Sequence, residues 1–176
     1  MSDNSSNKSI KFNTKALVTV ALLIAMEIVL NRFLSINAWN IKIGFSFVPV
    51  VLAAILFGPV HAAVVGGIGD LLGAILFPIG AYFPGFTLTA VLMGLVWGFF
   101  LHKNRAFLRI VAATAINQFI LGLFLNTLWI SILYGSTYWP LFLTRIIQAG
   151  ILTVVQILVT FALGKAAPRL SKLVAR

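Results

Sequence analysis

Hydrophobic residues run along this chain in long blocks, not in the alternating or one-faced patterns of a soluble fold. Six blocks stand out, at approximately 16–34, 43–57, 60–77, 86–101, 110–133 and 139–163. A helix needs roughly 17–25 residues to cross a bilayer, and most of the blocks approach or exceed that length. Breakers part them. Asn37 to Asn40 end the first block, Gly58-Pro59 divides the second from the third, and Pro78, Gly80, Pro84 and Gly85 mark a longer third connection. His102-Lys103-Asn104-Arg105 makes a charged turn, Gly135-Ser136 opens the fifth connection, and Pro140 falls just inside the last block, where proline is tolerated. The pattern predicts an all-α polytopic membrane protein with six transmembrane helices. The second and fourth blocks are short for a full crossing, which predicts tilted ends or segments capped by a loop or a partner.

Composition narrows the class. Of 176 residues, 61% are hydrophobic and 9% charged, against about 25% charge in a soluble domain. Lipid must be the solvent. The division expected is a polar, disordered tail over 1–15, a membrane domain over 16–165 and a basic tail over 166–176. No room remains for a soluble catalytic or nucleotide-binding domain. The first block follows the tail without a small-residue cleavage site and reads as a retained helix, not a signal peptide. The chain has no cysteine, which excludes disulfides and thiolate metal sites. His61 and His102 are far apart in sequence with no carboxylate near, a poor metal set. No metal and no cofactor is expected.

The net charge of +10 is read as topology, with no nucleic-acid partner. Lys8, Lys11 and Lys15 lie in the first tail, Lys103, Arg105 and Arg109 at the fourth connection, and Lys165, Arg169, Lys172 and Arg176 at the C-terminus. All ten fall on one side of a six-helix chain, which is the cytoplasmic side by the positive-inside rule. Both termini are then cytoplasmic. Trp39, Tyr82, Tyr134, Tyr138 and Trp139 gather at the outer interface, as aromatic belts do.

Only Arg32, Lys42 and Arg145 depart from that distribution, and they open the search for chemistry. Arg145 lies about 9 Å below the outer rim at 1.5 Å per residue. An arginine at that depth is costly and marks a functional site unless it snorkels to headgroups. Gln148 follows at i+3, with Gln156 further along the same stripe, so a polar face favours the functional reading. On the fifth block Gln118, Gly122 and Asn126 recur every four residues, with Trp129 three beyond. Asn126 falls at a depth similar to that of Arg145 and Gln148. Amides in membranes commonly bond between helices. That reading is preferred for the deeper Gln118 and Gln156, and ligand contact for Asn126, Trp129, Arg145 and Gln148.

Arg32 and Lys42 flank the first connection. The third, Gly80-Ala81-Tyr82-Phe83-Pro84-Gly85-Phe86, offers a lid with stacking faces in Tyr82 and Phe83, or an ordinary interfacial belt. Asp70, the only acid well inside the chain besides Glu27, sits in a glycine-rich stretch. It can receive paired donors from an aminopyrimidine-like ring, bond to backbone amides, or pair with Arg32. Together these groups suit a ligand planar enough to stack, polar enough to need amides and anionic enough to meet arginine. No Walker-type loop is present, so the chain does not hydrolyse ATP by itself. Ala21 and Ala25 form a small-xxx-small pair able to dock another helix.

The runs Asn31-Arg32-Phe33-Leu34-Ser35-Ile36, Ile43-Gly44-Phe45 through Pro49, Leu56-Phe57-Gly58-Pro59, Gly69-Asp70-Leu71-Leu72-Gly73, Gly80 through Leu88, Leu125-Asn126-Thr127-Leu128-Trp129 and Leu143-Thr144-Arg145 resemble the folate-specific substrate-binding (S) components of energy-coupling factor (ECF) vitamin transporters, over roughly 16–165. The resemblance implies six helices and a vitamin cavity open to the outside. It implies association with a transmembrane T component and two cytoplasmic ATPases, and toppling in the membrane to release the vitamin. It assigns Ala21 and Ala25 to docking on the T component. A pterin ring would stack and need paired hydrogen bonds, while the glutamate carboxylates would meet Arg145, Arg32 or Lys42.

Three other readings compete. An S component for another vitamin would differ in the ligand it retains. An intramembrane enzyme would need a catalytic pair at one depth, and neither the histidines nor Asp70 supplies one. A purely structural bundle leaves the Arg145 and Asn126 faces unexplained.

Overall fold

The computed structural model describes the backbone of residues 14–37 and 42–175 and the side chains of 14–36 and 43–166. Six helical units follow one another: α1 (Thr14–Arg32), α2 (Phe47–Phe57), α3 (Pro59–Leu76), α4 (Pro84–Leu101), α5 (Phe107–Tyr134) and α6 (Tyr138–Ala175). Among the described residues five are long and apolar enough to cross a membrane, and α2, with 11 residues, is shorter. The fourth block, read as short, is a full 18-residue helix because Pro84 starts it two residues before its apolar run. Proline at the first helical position gives up no hydrogen bond.

Local chemistry sets the boundaries. Gly58, at φ 90°, separates α2 from α3, a left-handed region that favours glycine. Gly135, at φ 62°, ends α5 in the same way. Asn104 Oδ1 accepts from the Ala106 N–H at 3.0 Å and shapes the turn before α5. The first connection holds a small hairpin, β1 (Ile36–Asn37) against β2 (Lys42–Ile43), antiparallel with Ile36 opposite Ile43. It adds two short strands to an otherwise helical fold. α1 takes in Thr14 and Lys15, and α6 carries its helix past 165 to Ala175. Lys8 and Lys11, with Trp39 and Asn40, lie outside the described residues. So do Arg176 and the side chains of Lys42, Arg169 and Lys172.

The apolar core centres on α2. Val51, Ala53, Ala54 and Ile55 pack there with Ala62 and Val65 of α3, Trp97 of α4 and Val20 and Leu23 of α1. α3 and α4 meet through small residues. A Cβ on Gly94 would lie 2.5 Å from the Ala62 carbonyl oxygen, and one on Gly66 would lie 2.8 Å from that of Ala90. Small residues let membrane helices approach to van der Waals contact, which replaces the missing hydrophobic drive.

The helical pattern changes within α5. Residues Ile116–Leu125 form a ten-residue π-helical stretch between two α-helical segments of nine residues each. Such stretches are rare and concentrate at functional sites.

Candidate functional site

A cavity of about 390 Å³ opens between α1, α3, α4, α5 and α6, within the usual range for small-molecule sites. Arg32, Asp70, Tyr82, Asn126, Arg145 and Gln148, all expected at a site from the sequence, lie on its wall. Gln118 and Gln156, for which helix-to-helix bonding was preferred, face the cavity as well.

Arg145 projects from α6 and is 9% exposed. Its guanidinium donates to the Thr127 hydroxyl and to the Gly122 carbonyl, each at 3.4 Å. The Thr127 hydroxyl donates in turn to the Leu123 carbonyl. Gly122 and Leu123 belong to the π-helical stretch, so the irregular backbone supplies one acceptor to the arginine and one to the threonine that it holds. Both guanidinium bonds are long, and Nε is buried with no acceptor among the described residues. No carboxylate lies within ion-pair distance of Arg145 among the described residues. A buried guanidinium held only by neutral oxygens keeps most of its capacity to bind an anion.

The amides around it are acceptors in waiting. Oδ1 of Asn126, Oδ1 of Asn117 and Oε1 of Gln156 are buried without a hydrogen-bond partner among the described residues. Asn117 is held by its other end, donating to the Met93 carbonyl at 3.3 Å. Orphaned buried polar atoms are expensive, and a ligand with N–H groups satisfies them.

Arg32 and Asp70 form a second group. Arg32 Nη2 stands 3.8 Å from Asp70 Oδ1 and donates to the Asp70 carbonyl at 3.4 Å. Thr87 donates to Asp70 Oδ2 at 2.8 Å, and the Tyr82 hydroxyl lies 3.1 Å from that of Thr87. Pairing with Arg32, one of the roles open to Asp70 in the sequence, is formed. The chain of contacts ties the end of α1 to α3, the third connection and α4.

Phe83 and Trp129 are brought together, but off the cavity wall. Their ring centroids are 5.5 Å apart, and a Cβ on Gly85 would lie 2.6 Å from both. The Trp129 indole donates to Thr89 at 3.0 Å, and Thr89 does line the cavity. The pair therefore shapes the wall from behind. Ala21 and Ala25 are exposed on α1, away from the buried Val20, Leu23, Glu27 and Asn31.

Sequence reasoning passed over Glu27, Asn31, Trp97 and Asn117, all on the wall. Glu27 and Asn31 are one helical turn apart and both buried. An acid inside a span is a signal in its own right.

A sequence profile of the ECF-type riboflavin transporter S component family matches residues 11–169. The chain belongs to this family. Among similar proteins, this S component is 39% identical over 155 residues to "Folate transporter FolT" of Clostridium novyi (strain NT), covering 88% of this chain and 90% of that one. It is 30% identical over 160 residues to "Folate transporter FolT" of Leuconostoc mesenteroides, covering 87% and 86%. Among solved structures, "Crystal structure of FolT bound with folic acid" superposes with a TM-score of 0.82 at 34% identity, covering 86% of this chain and 93% of that chain. The S component is thus a multi-pass protein of the cell membrane and a transport subunit, not an enzyme.

Proposed function

We propose that this S component captures folate from the outer side of the membrane. It delivers folate inside in company with a T component and two cytoplasmic ATPases, with both of its termini cytoplasmic. The observation that carries the ligand assignment is Arg145: a buried guanidinium on the cavity wall, with no carboxylate in reach among the described residues. Folate brings carboxylates to it and a hydrogen-bonding planar ring to the buried amides. Arg32, Lys42, Asp70, Tyr82, Asn126 and Gln148 complete the binding set, with Phe83 and Trp129 shaping its wall. The similar folate transporters support the same ligand. Ala21 and Ala25 present the flat exposed face on which the T component docks.

One observation favours a second reading. The matching family is described for riboflavin, which is also planar and rich in acceptors. Riboflavin carries no carboxylate and leaves Arg145 unanswered. Mass spectrometry of the small molecules that co-purify with the protein decides between them. A bound pterin is expected, and a bound flavin in its place overturns the assignment.

A further inference from the structure

We propose that the seam between the start of α5 and the stretch of α6 from Leu158 to Lys165 is a binding site for an anionic phospholipid. Arg105 and Lys165 hold its phosphate, and Phe107, Phe161 and Leu158 seat an acyl chain. The site lies at the end of the bundle proposed to face the cytoplasm. It goes beyond the folate reading and stands whether or not folate is the vitamin.

Packing brings these residues together. The turn at Asn104 delivers Arg105 against α6, where a Cβ on Gly164 would lie 3.8 Å from the Arg105 Cβ. Lys165 is the next residue, and its ammonium stands 4.4 Å from the centre of the Phe161 ring. Phe161 in turn meets Phe107 of α5 edge to face, with centroids 5.9 Å apart. Phe107, Phe161 and Leu158 are exposed, as is Lys165, while Arg105 is half-buried. The order of the parts matches a phospholipid. The cations lie at the rim, and Phe161 and Leu158 follow one helical face inward from Lys165. The vitamin cavity is remote, since Phe107 comes about 15 Å along the helix before Asn117, where α5 reaches the cavity wall.

The charge of the lipid follows from the surroundings of the rim. The two described acids, Glu27 and Asp70, both line the cavity, so among the described residues no carboxylate faces Arg105 or Lys165. A zwitterionic headgroup brings its own cation, which would meet these two with no acid to receive it. An aromatic face can also take a quaternary ammonium, but Lys165 already occupies that of Phe161. A phosphate without an accompanying cation suits the pair. The guanidinium fork takes two oxygens, and the ammonium acts as a point charge beside it. Basic pockets between spans on the cytoplasmic side bind such headgroups.

The test uses purified full-length protein in a neutral detergent, titrated with dioleoylphosphatidylglycerol or dioleoylphosphatidylcholine, with bound lipid counted by native mass spectrometry. Wild-type protein should bind the glycerol lipid at least about tenfold more tightly than the choline lipid. Arg105→Gln and Lys165→Gln should each lower that preference at least about threefold. Arg109→Gln is the control: it removes the same charge from the same end of α5, but two residues on from Phe107 it points about 200° away round the helix. It should keep the preference. Arg105→Lys keeps the charge and loses the fork; it should lower the preference in the same direction, and it decides the matter if Arg105→Gln is poorly folded. No preference in the wild type overturns the proposal. So does an equal loss in Arg109→Gln, which would mean attraction to net charge and not to a site. Displacement of the glycerol lipid by an equal concentration of inorganic phosphate would make the rim a site for the free anion and overturns the lipid assignment.

Discussion

The two sides of this bundle are built on opposite rules. Where α3 meets α4, glycines and alanines bring the backbones together, and a single added Cβ on Gly94 or Gly66 would collide with a carbonyl oxygen. Where α5 meets α6, the backbone departs from α-helical geometry, and Arg145, Asn126 and Gln156 face a cavity with bonding capacity unspent. In lipid, close packing supplies stability and buried polarity costs it. The first region is therefore the scaffold. The second retains polar groups whose cost makes sense only against a ligand.

That contrast can be broken most severely on the packed side. Gly94→Val should destabilise the bundle by about 3 kcal/mol or more, as overpacking of a tight contact does, with ligand contacts untouched. Thermal unfolding in detergent reads this directly, and an unchanged midpoint would mean that the seam is loose. On the polar side Arg145→Ala should weaken folate binding at least about tenfold through loss of a charge-assisted pair. Arg145→Lys should fall between, since it keeps the charge and loses the fork. Equal affinities for all three proteins would remove Arg145 from the site.

The brace at the rim sharpens the comparison by a smaller effect. Thr87→Ala removes one hydrogen bond to the Asp70 carboxylate, worth about 1.5 kcal/mol. Folate dissociation, followed in stopped flow, should accelerate several-fold. An unchanged rate would detach the rim from ligand retention. Smallest of all for binding is Ala21→Trp, on the exposed face of α1. Affinity should stay within about twofold of wild type because the cavity is not touched, while folate uptake in intact cells stops. Persistent uptake would show that the docking face lies elsewhere.

Hydropathy was enough to read the spans, because a block of apolar residues has one stable fate in lipid. Arg145, Gln148 and Asn126 were legible for the same reason: a polar residue inside such a block stands out. Phe83 and Trp129 were visible as aromatics, but their place behind the wall depends on the absence of a side chain at Gly85. The π-helical turns were hidden. They widen the spiral of α5 so that Asn117 joins Gln118, Gly122 and Asn126 on the wall, where a 3.6-residue repeat would turn Asn117 away from the other three. Glu27 was in plain view as an acid in a span, yet only the fold shows that it lies on the cavity wall and packs against Gly69. The commitment of Asp70 to Arg32 depends likewise on where α1 ends beside α3.

On this reading the polar side of the bundle is a folate site, and calorimetric titration of the purified protein with folate, riboflavin and thiamine is the decisive measurement. Folate should bind at least about a hundredfold more tightly than either of the others, a gap of roughly 2.7 kcal/mol. Tighter binding of riboflavin, or no preference among the three, would contradict it.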